Sequence, residues 1–271
     1  MFQLIVVVVQ KNCRGEKLRR IVISDIHGCA AELDQLLNKT KAQPGEVIFL
    51  GDYVDSGPDS IEVLNIVREW CRKGATALLG NHDDLFLQWL EGKELIFYYG
   101  GRNGGMATIN SCLQRLGMER VEFSQLMRDI RKEIQIRKII QDRFRAQIFF
   151  LQSLPLFKKE GQFIFVHAGI NSKHGLDKTT KVEFLHLRDE FIYGYNRSET
   201  VIFGHTPTRK IHNQDNVYFG PNRVIGVDGG CAFGGQLNAL IITNGEFSTT
   251  TVNKAFSPAA RLADDSGNKS K

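Results

Sequence analysis

Five short segments of this chain place an Asp, His or Asn beside a small residue, and each follows an apolar run. They are Asp25, Ile26, His27, Gly28; then Gly51, Asp52, Tyr53, Val54, Asp55; then Gly80, Asn81, His82, Asp83; then His167, Ala168, Gly169; then Gly204, His205, Thr206. Apolar runs of this length bounded by turn residues read as strands. In the first half they alternate with helical patterns: strands over 21–24, 46–50 and 76–79, and helices over 30–40, 58–73 and 82–91. That alternation predicts an α/β sheet with helices on its faces. Ligand sites of such sheets lie outside the carboxyl ends of the strands, where all five segments fall. The small neighbours suit a site built from several converging loops, because the backbones must approach closely and turn sharply.

Residues 111–154 carry apolar side chains at helical spacing (Phe123, Leu126, Met127, Ile130, Ile134, Ile139, Ile140, Phe144), and Pro155 ends the pattern. Strands return over 163–166, 201–203, 217–219, 223–227 and 237–243, the last joined through Asn244 and Gly245 to a partner over 247–252. The 271 residues, 42% of them hydrophobic, suffice for a full core and suggest one domain. Residues 256–271 are polar and are expected to be disordered.

The net charge of +5 is mild, and Lys and Arg are spread along the chain, which argues against a dedicated nucleic-acid binder. The basic stretch 120–145 is interleaved with acids and reads as a solvated helix face. The apolar run 4–9 is too short to span a bilayer, and its positive charges follow it, so neither membrane association nor secretion is expected. Five well-separated cysteines without C-x-x-C pairing read as reduced thiols in a cytoplasmic protein. His174, His186 and His212 fall outside the segments and are expected to be surface or packing residues.

In content, order and spacing the five segments resemble the GDxHG, GDxxDRG, GNHE/D, HAG and GH signatures of the phosphoprotein-phosphatase branch of the calcineurin-like metallophosphoesterases. The likeness is greatest to bacterial and phage serine/threonine protein phosphatases and to diadenosine tetraphosphatases. It extends over a catalytic domain at 18–255 with a helical insert near 92–155, and leaves 1–17 as an extension. Asn103 to Gly105, Leu154 to Leu156 and the glycine-rich 228–237 support it. Ser24 stands where the family has Gly, which removes no ligand; Ser56 stands where it has Arg, which removes a phosphate contact.

The resemblance implies a β-sandwich core flanked by helices and a centre of two divalent metal ions. Asp25 and His27 would bind the first, Asp52 would bridge both, and Asn81, His167 and His205 would bind the second. Carboxylate, amide and imidazole donors without thiolate suit Mn first, with Fe or Zn as alternatives. Two divalent ions, two carboxylates and a hydroxide sum to roughly +1, which attracts phosphate and still supplies an anionic nucleophile for in-line attack. His82 would protonate the leaving group, Asp55 would orient it, and Arg188, Arg102 and Asn81 would contact substrate. The first functional expectation is a serine/threonine protein phosphatase acting on phosphorylated proteins. The alternative is a symmetrical dinucleoside tetraphosphatase or another small-molecule phosphoesterase.

Two rivals belong to other classes. Cys13 and Arg19 have the spacing of cysteine-dependent phosphatases, but Arg20 leads into a strand rather than a helix, Asn12 replaces the expected His, and Glu16 would repel phosphate. A non-catalytic binding module has Ser56 as its support, against an intact set of ligands and acid pair.

Overall fold

The computed structural model describes residues 19–93, 98, 99 and 103–255. The apolar run 4–9, Cys13, Arg102 and the tail 256–271 lie outside the described residues.

Two five-stranded sheets face each other. In the first, β1 (Arg19–Ile23), β2 (Val47–Phe49) and β3 (Thr76–Ala77) run parallel, and the antiparallel hairpin of β9 (Gln236–Thr243) and β10 (Glu246–Asn253) extends them in the order β10-β9-β1-β2-β3. The hairpin turns at Asn244 (φ 51°) and Gly245 (φ 85°), both left-handed as a two-residue type I′ connection requires. The second sheet has the order β4-β5-β6-β8-β7, with β5 (Phe163–Val166), β6 (Thr200–Phe203) and β8 (Val224–Gly226) parallel. Antiparallel β4 (Phe157–Glu160) and β7 (Tyr218–Phe219) form its edges.

Successive side chains of a strand point to opposite faces. Val22 of β1, Ile48 of β2, Phe163 and Phe165 of β5, Ile202 of β6 and Leu240 of β9 therefore meet between the sheets. Ile21, Ile23, Val47 and Phe49 point the other way, onto Leu33, Leu36 and Leu37 of α1 (Ala30–Lys39) and Ile61, Leu64 and Val67 of α2 (Ser60–Arg72). On the outer face of the second sheet, Ile164, Val166, Val201 and Phe203 pack against Phe184, Phe191 and Ile192. Central strands buried on both faces are uninterrupted apolar runs, which is why they were visible in the sequence. β4 reads Phe-Lys-Lys-Glu and was not, because an edge strand carries charge to discourage further pairing.

After α3 (Asn81–Leu90) come the helices α4 (Gly105–Arg115), α5 (Phe123–Arg128), α6 (Ile130–Arg143) and α7 (Arg145–Gln152). The apolar stripe expected across this region is only partly inward. Leu126, Ile140 and Phe144 are buried, whereas Met127, Ile130 and Ile134 are exposed. The reason is a break at Asp129, whose extended backbone ends α5 and whose carboxylate accepts from Arg131 N (3.0 Å) and Lys132 N (3.2 Å) to start α6. One helical period therefore does not run through.

All three parallel strands of the first sheet end toward the same edge of the sandwich, where their loops are nearly in contact. A Cβ added to Gly80, just before α3, would lie 2.2 Å from both N and Oδ1 of Asp52. Gly80→Ala should therefore destabilise the fold by roughly 1–3 kcal/mol through overpacking. Gly45→Ala, whose Cβ would meet nothing within 4 Å, should stay within about 0.5 kcal/mol of the parent. Urea midpoints at matched slope measure both.

Candidate metal centre

The loops after β1, β2, β3, β5 and β6 converge and bring all six sequence-predicted ligands together. Asp52 is at their middle. One of its oxygens is 3.5 Å from His27 Nε2, and the other is 3.5 Å from His167 Nε2 and accepts from His82 N at 2.9 Å. Asn81 Oδ1 lies 2.9 Å from His167 Nε2. Both Asp25 oxygens accept from His205 N, at 3.0 and 2.9 Å, and Ser24 Oγ donates to one of them. Ser24 thus does more than replace a glycine harmlessly, since it holds a site carboxylate.

The imidazoles are oriented from behind. His27 Nδ1 is 2.7 Å from Val54 O and His167 Nδ1 is 3.0 Å from Leu50 O, so each carries its proton on Nδ1 and turns Nε2 toward Asp52. His205 Nε2 is buried without a hydrogen-bond partner. Backbone geometry is strained to the same end: Asp25, His27, Asp52, Asp55, Ser56 and His205 all have φ between 45° and 72°. Each such non-glycine residue costs on the order of 1 kcal/mol or more, and the cost persists only where the surroundings enforce it.

Burial, and then the neighbouring Asp52 carboxylate, raise Asp25 to about 8. Burial also disfavours the charge on Asp52, but His167, His82, His27 and His205 outweigh it and hold Asp52 well below the usual carboxylate range. Burial lowers His167 to about 4, and burial with His167 and Arg188 lowers His205 to about 2, so both are neutral and able to donate a lone pair. Close carboxylates, neutral imidazoles and an unsatisfied ring nitrogen are what divalent cations would satisfy, so the donors present fit two such ions. One grouping of donor atoms within 4.8 Å joins Asp52, His167 and His205; another joins His27, Asp52 and His82. The second contains His82 in place of Asp25, whose oxygens are turned to His205 N.

His82 Nδ1 lies 2.8 Å from Asp55 Oδ2. Burial opposes the imidazolium, but Asp52 and the Asp55 hydrogen bond raise His82 to about 9. Asp55 is itself fixed, because Tyr98 Oη and Thr108 Oγ1 each donate to its other oxygen at 2.7 Å. Arg188 is at the rim, with Nη1 3.0 Å from His205 O and 3.2 Å from Thr206 Oγ1. Arg102 lies outside the described residues. Ser56, which stands where the family has arginine, lies against the turn at Gly104. Its N donates to Gly104 O at 3.2 Å, and a Cβ on Gly104 would come 2.6 Å from its Oγ.

Several site residues escaped sequence reasoning. Asp83, fully buried, accepts from Asp52 N (2.9 Å), Tyr53 N (3.0 Å) and Gly80 N (3.0 Å), tying the second loop to the third. His186, expected to be a surface or packing residue, is on the surface with its ring 6.1 Å from that of His205. Asp228, at the start of the glycine-rich 228–237, is raised by burial and by Asp25 and accepts from Gly230 N at 2.8 Å. Signals for Asp83 and Asp228 existed as acids inside glycine-rich motifs, whereas His186 had none. The cysteines are not all separate either: Cys29, Cys231 and the Glu32 carboxylate come within 4.8 Å of one another. Lys254 Nζ supplies the cation there, 3.0 Å from Glu32 Oε1 and 3.5 Å from Cys29 Sγ.

Fold and site together define an α/β phosphoesterase sandwich with a metal-competent edge. The profile of the calcineurin-like phosphoesterases matches residues 18–233, and the chain belongs to that family of metal-dependent phosphoesterases. Among its relatives, the asymmetrical bis(5'-nucleosyl)-tetraphosphatase PrpE of Bacillus subtilis is 27% identical over 247 residues, covering 81% of this chain and 88% of that protein. The protein of the same name from Oceanobacillus iheyensis is 26% identical, covering 87% and 93%. Of solved structures, that of a candidate diadenosine tetraphosphatase superposes with a TM-score of 0.61 at 21% identity, covering 88% of this chain and 95% of the other. A protein serine/threonine phosphatase from Saccharomyces cerevisiae gives 0.56 at 14% identity, covering 89% and 81%.

Asp83→Ala would leave three buried N–H groups without an acceptor. It should cost roughly 3 kcal/mol or more, at about 1–3 kcal/mol for each unsatisfied group. Asp83→Asn, which keeps one acceptor oxygen, should lose less. Denaturant unfolding gives the order, and an Asp83→Ala protein within about 0.5 kcal/mol of the parent would show that the three bonds do not matter.

Proposed function

We propose that this protein hydrolyses dinucleoside tetraphosphates with two divalent metal ions, Mn foremost, cutting asymmetrically to a nucleoside triphosphate and a nucleoside monophosphate. The observation that carries the reading is the match to the asymmetrical tetraphosphatases along most of both chains. It displaces phosphorylated protein, the first expectation from the motifs, as the preferred substrate, and symmetrical cleavage as the preferred alternative.

In this reading Asp25 and His27 would hold one ion and Asn81, His167 and His205 the other, and Asp52 would serve both. Bound there, such ions would lower the pKa of a water and neutralise phosphoryl oxygens. The chain's own groups do the rest. Arg188, anchored on the His205 carbonyl, presents its remaining guanidinium N–H groups at the rim to a phosphate. His82, held by Asp55, donates a proton from Nε2 to the departing oxygen.

Asp52→Asn should lower both Mn content and turnover, because a neutral amide bridges two cations poorly; two ions per chain at near-normal turnover would remove the bridging role. His82→Asn should slow release of an alkoxide leaving group by roughly 10²–10⁴. It should slow release of a polyphosphate much less, since an anhydride leaving group needs little protonation. Chromatography of products from purified protein, Mn and diadenosine tetraphosphate tests the proposal itself. ATP with AMP is expected. Two ADP would favour symmetrical cleavage, and phosphate release from phosphopeptides with the dinucleotide intact would return the protein-phosphatase reading. Bound Mn without any turnover would favour the binding module.

A further inference from the structure

Phe233 is 61% exposed, yet it stands beside the buried centre, its ring centroid 5.9 Å from that of His27 with the planes at 69°. Three of the other exposed aromatic rings rest on ring neighbours, Phe219 on Phe247, Phe157 on Phe184 and Phe123 on Tyr99, and Phe149 and Tyr193 are exposed with no ring contact to the site histidines. Those contacts bury part of each ring against other apolar rings, away from the metal centre. Phe233 instead turns much of its surface to solvent at the mouth of a phosphate-competent site.

Its backbone is built to hold it there. The single 3₁₀ turn Cys231–Phe233 is bracketed by left-handed Gly230 (φ 66°) and Gly234 (φ 84°). Phe233 N donates to Gly230 O at 2.9 Å, Gly230 N donates to Asp228 Oδ1 at 2.8 Å, and Cys231 is buried beneath. An aromatic face fixed by the backbone and open to solvent loses little entropy on accepting a planar partner.

We propose that Phe233 is a stacking platform for the nucleobase attached to the phosphate bound at the metal centre. The inference rests on the dinucleotide reading above and deepens it. A tetraphosphate alone would be recognised by the cations and Arg188, whatever it carried. A base stacked on Phe233 adds recognition of the nucleoside without selecting strongly among bases, because every base offers a π-face. The proposal makes Phe233 a substrate-binding residue.

Calorimetric titration of the Mn-loaded full chain with AMP and with ribose 5-phosphate separates the base from the phosphate and sugar. AMP should bind about tenfold more tightly, equivalent to about 1.4 kcal/mol. Phe233→Trp should keep that ratio, and Phe233→Ala should bring it close to one. Because the ring also touches His27, Phe233→Leu serves as a second variant that keeps apolar bulk against the histidine, and Mn stoichiometry is measured for each. Equal affinities in the parent, or a ratio that survives in a fully metallated Phe233→Leu protein, would overturn the platform. If the parent yields ATP and AMP from the dinucleotide while binding AMP and ribose 5-phosphate equally, this inference alone fails. If the parent leaves the dinucleotide intact, the functional reading fails.

Discussion

Placing the carboxylate of Asp52 inside the protein is the constraint that orders everything around it. A buried charge without partners is costly; Asp52 accepts from His82 N at 2.9 Å, and the unprotonated Nε2 atoms of His27 and His167 stand 3.5 Å from its oxygens, lone pairs facing lone pairs that cations would reconcile. Those partners come from three different loops. The glycines at 51 and 80 permit their approach, because any side chain there would collide with backbone. Asp25 and Asp228 add further buried acids nearby; burial raises both, helped by Asp52 in the first case and by Asp25 in the second. Acids gathered in a low-dielectric interior and ringed by neutral imidazoles form an arrangement that a pair of cations would stabilise and a solvated surface would not need.

The sandwich supplies the rigidity that this arrangement requires. Left-handed backbone at Asp25, His27, Asp52, Asp55, Ser56 and His205 is unfavourable locally. It is enforced by strands buried on both faces and by Asp83, whose carboxylate replaces missing strand partners for three backbone N–H groups. A second support lies behind His82, where Asp55 is held by Tyr98 and Thr108. Thr108 belongs to α4, so the helical insert reaches directly into the acid pair. Among the described residues no helix is long and apolar enough to cross a membrane.

Much of this was legible in the sequence for physical reasons. Strands buried on both faces are continuous apolar runs, so β1, β2, β5 and β6 could be placed from the sequence, and the six clustered side chains could be named because their motifs resemble those of a known family. Polar edge strand β4 had no such pattern. The Asp129 break was hidden because apolar side chains on both sides of it happen to keep helical spacing while facing solvent. His186 and Phe233 owe their places near the centre to tertiary packing and to a glycine-bracketed turn, neither of which leaves a periodic mark. Ser24 and Ser56 were visible as departures from a pattern, but what they touch, Asp25 in one case and Gly104 in the other, required the fold.

The account stands or falls on two cations sharing Asp52. Anomalous diffraction from crystals grown with Mn, recorded near the Mn absorption edge, locates them without reference to activity. Two peaks about 3.5–4 Å apart are predicted, with Asp52 between them, Asp25 and His27 against one, and Asn81, His167 and His205 against the other. A single peak, or a peak among Cys29, Glu32 and Cys231 with none at Asp52, would contradict it.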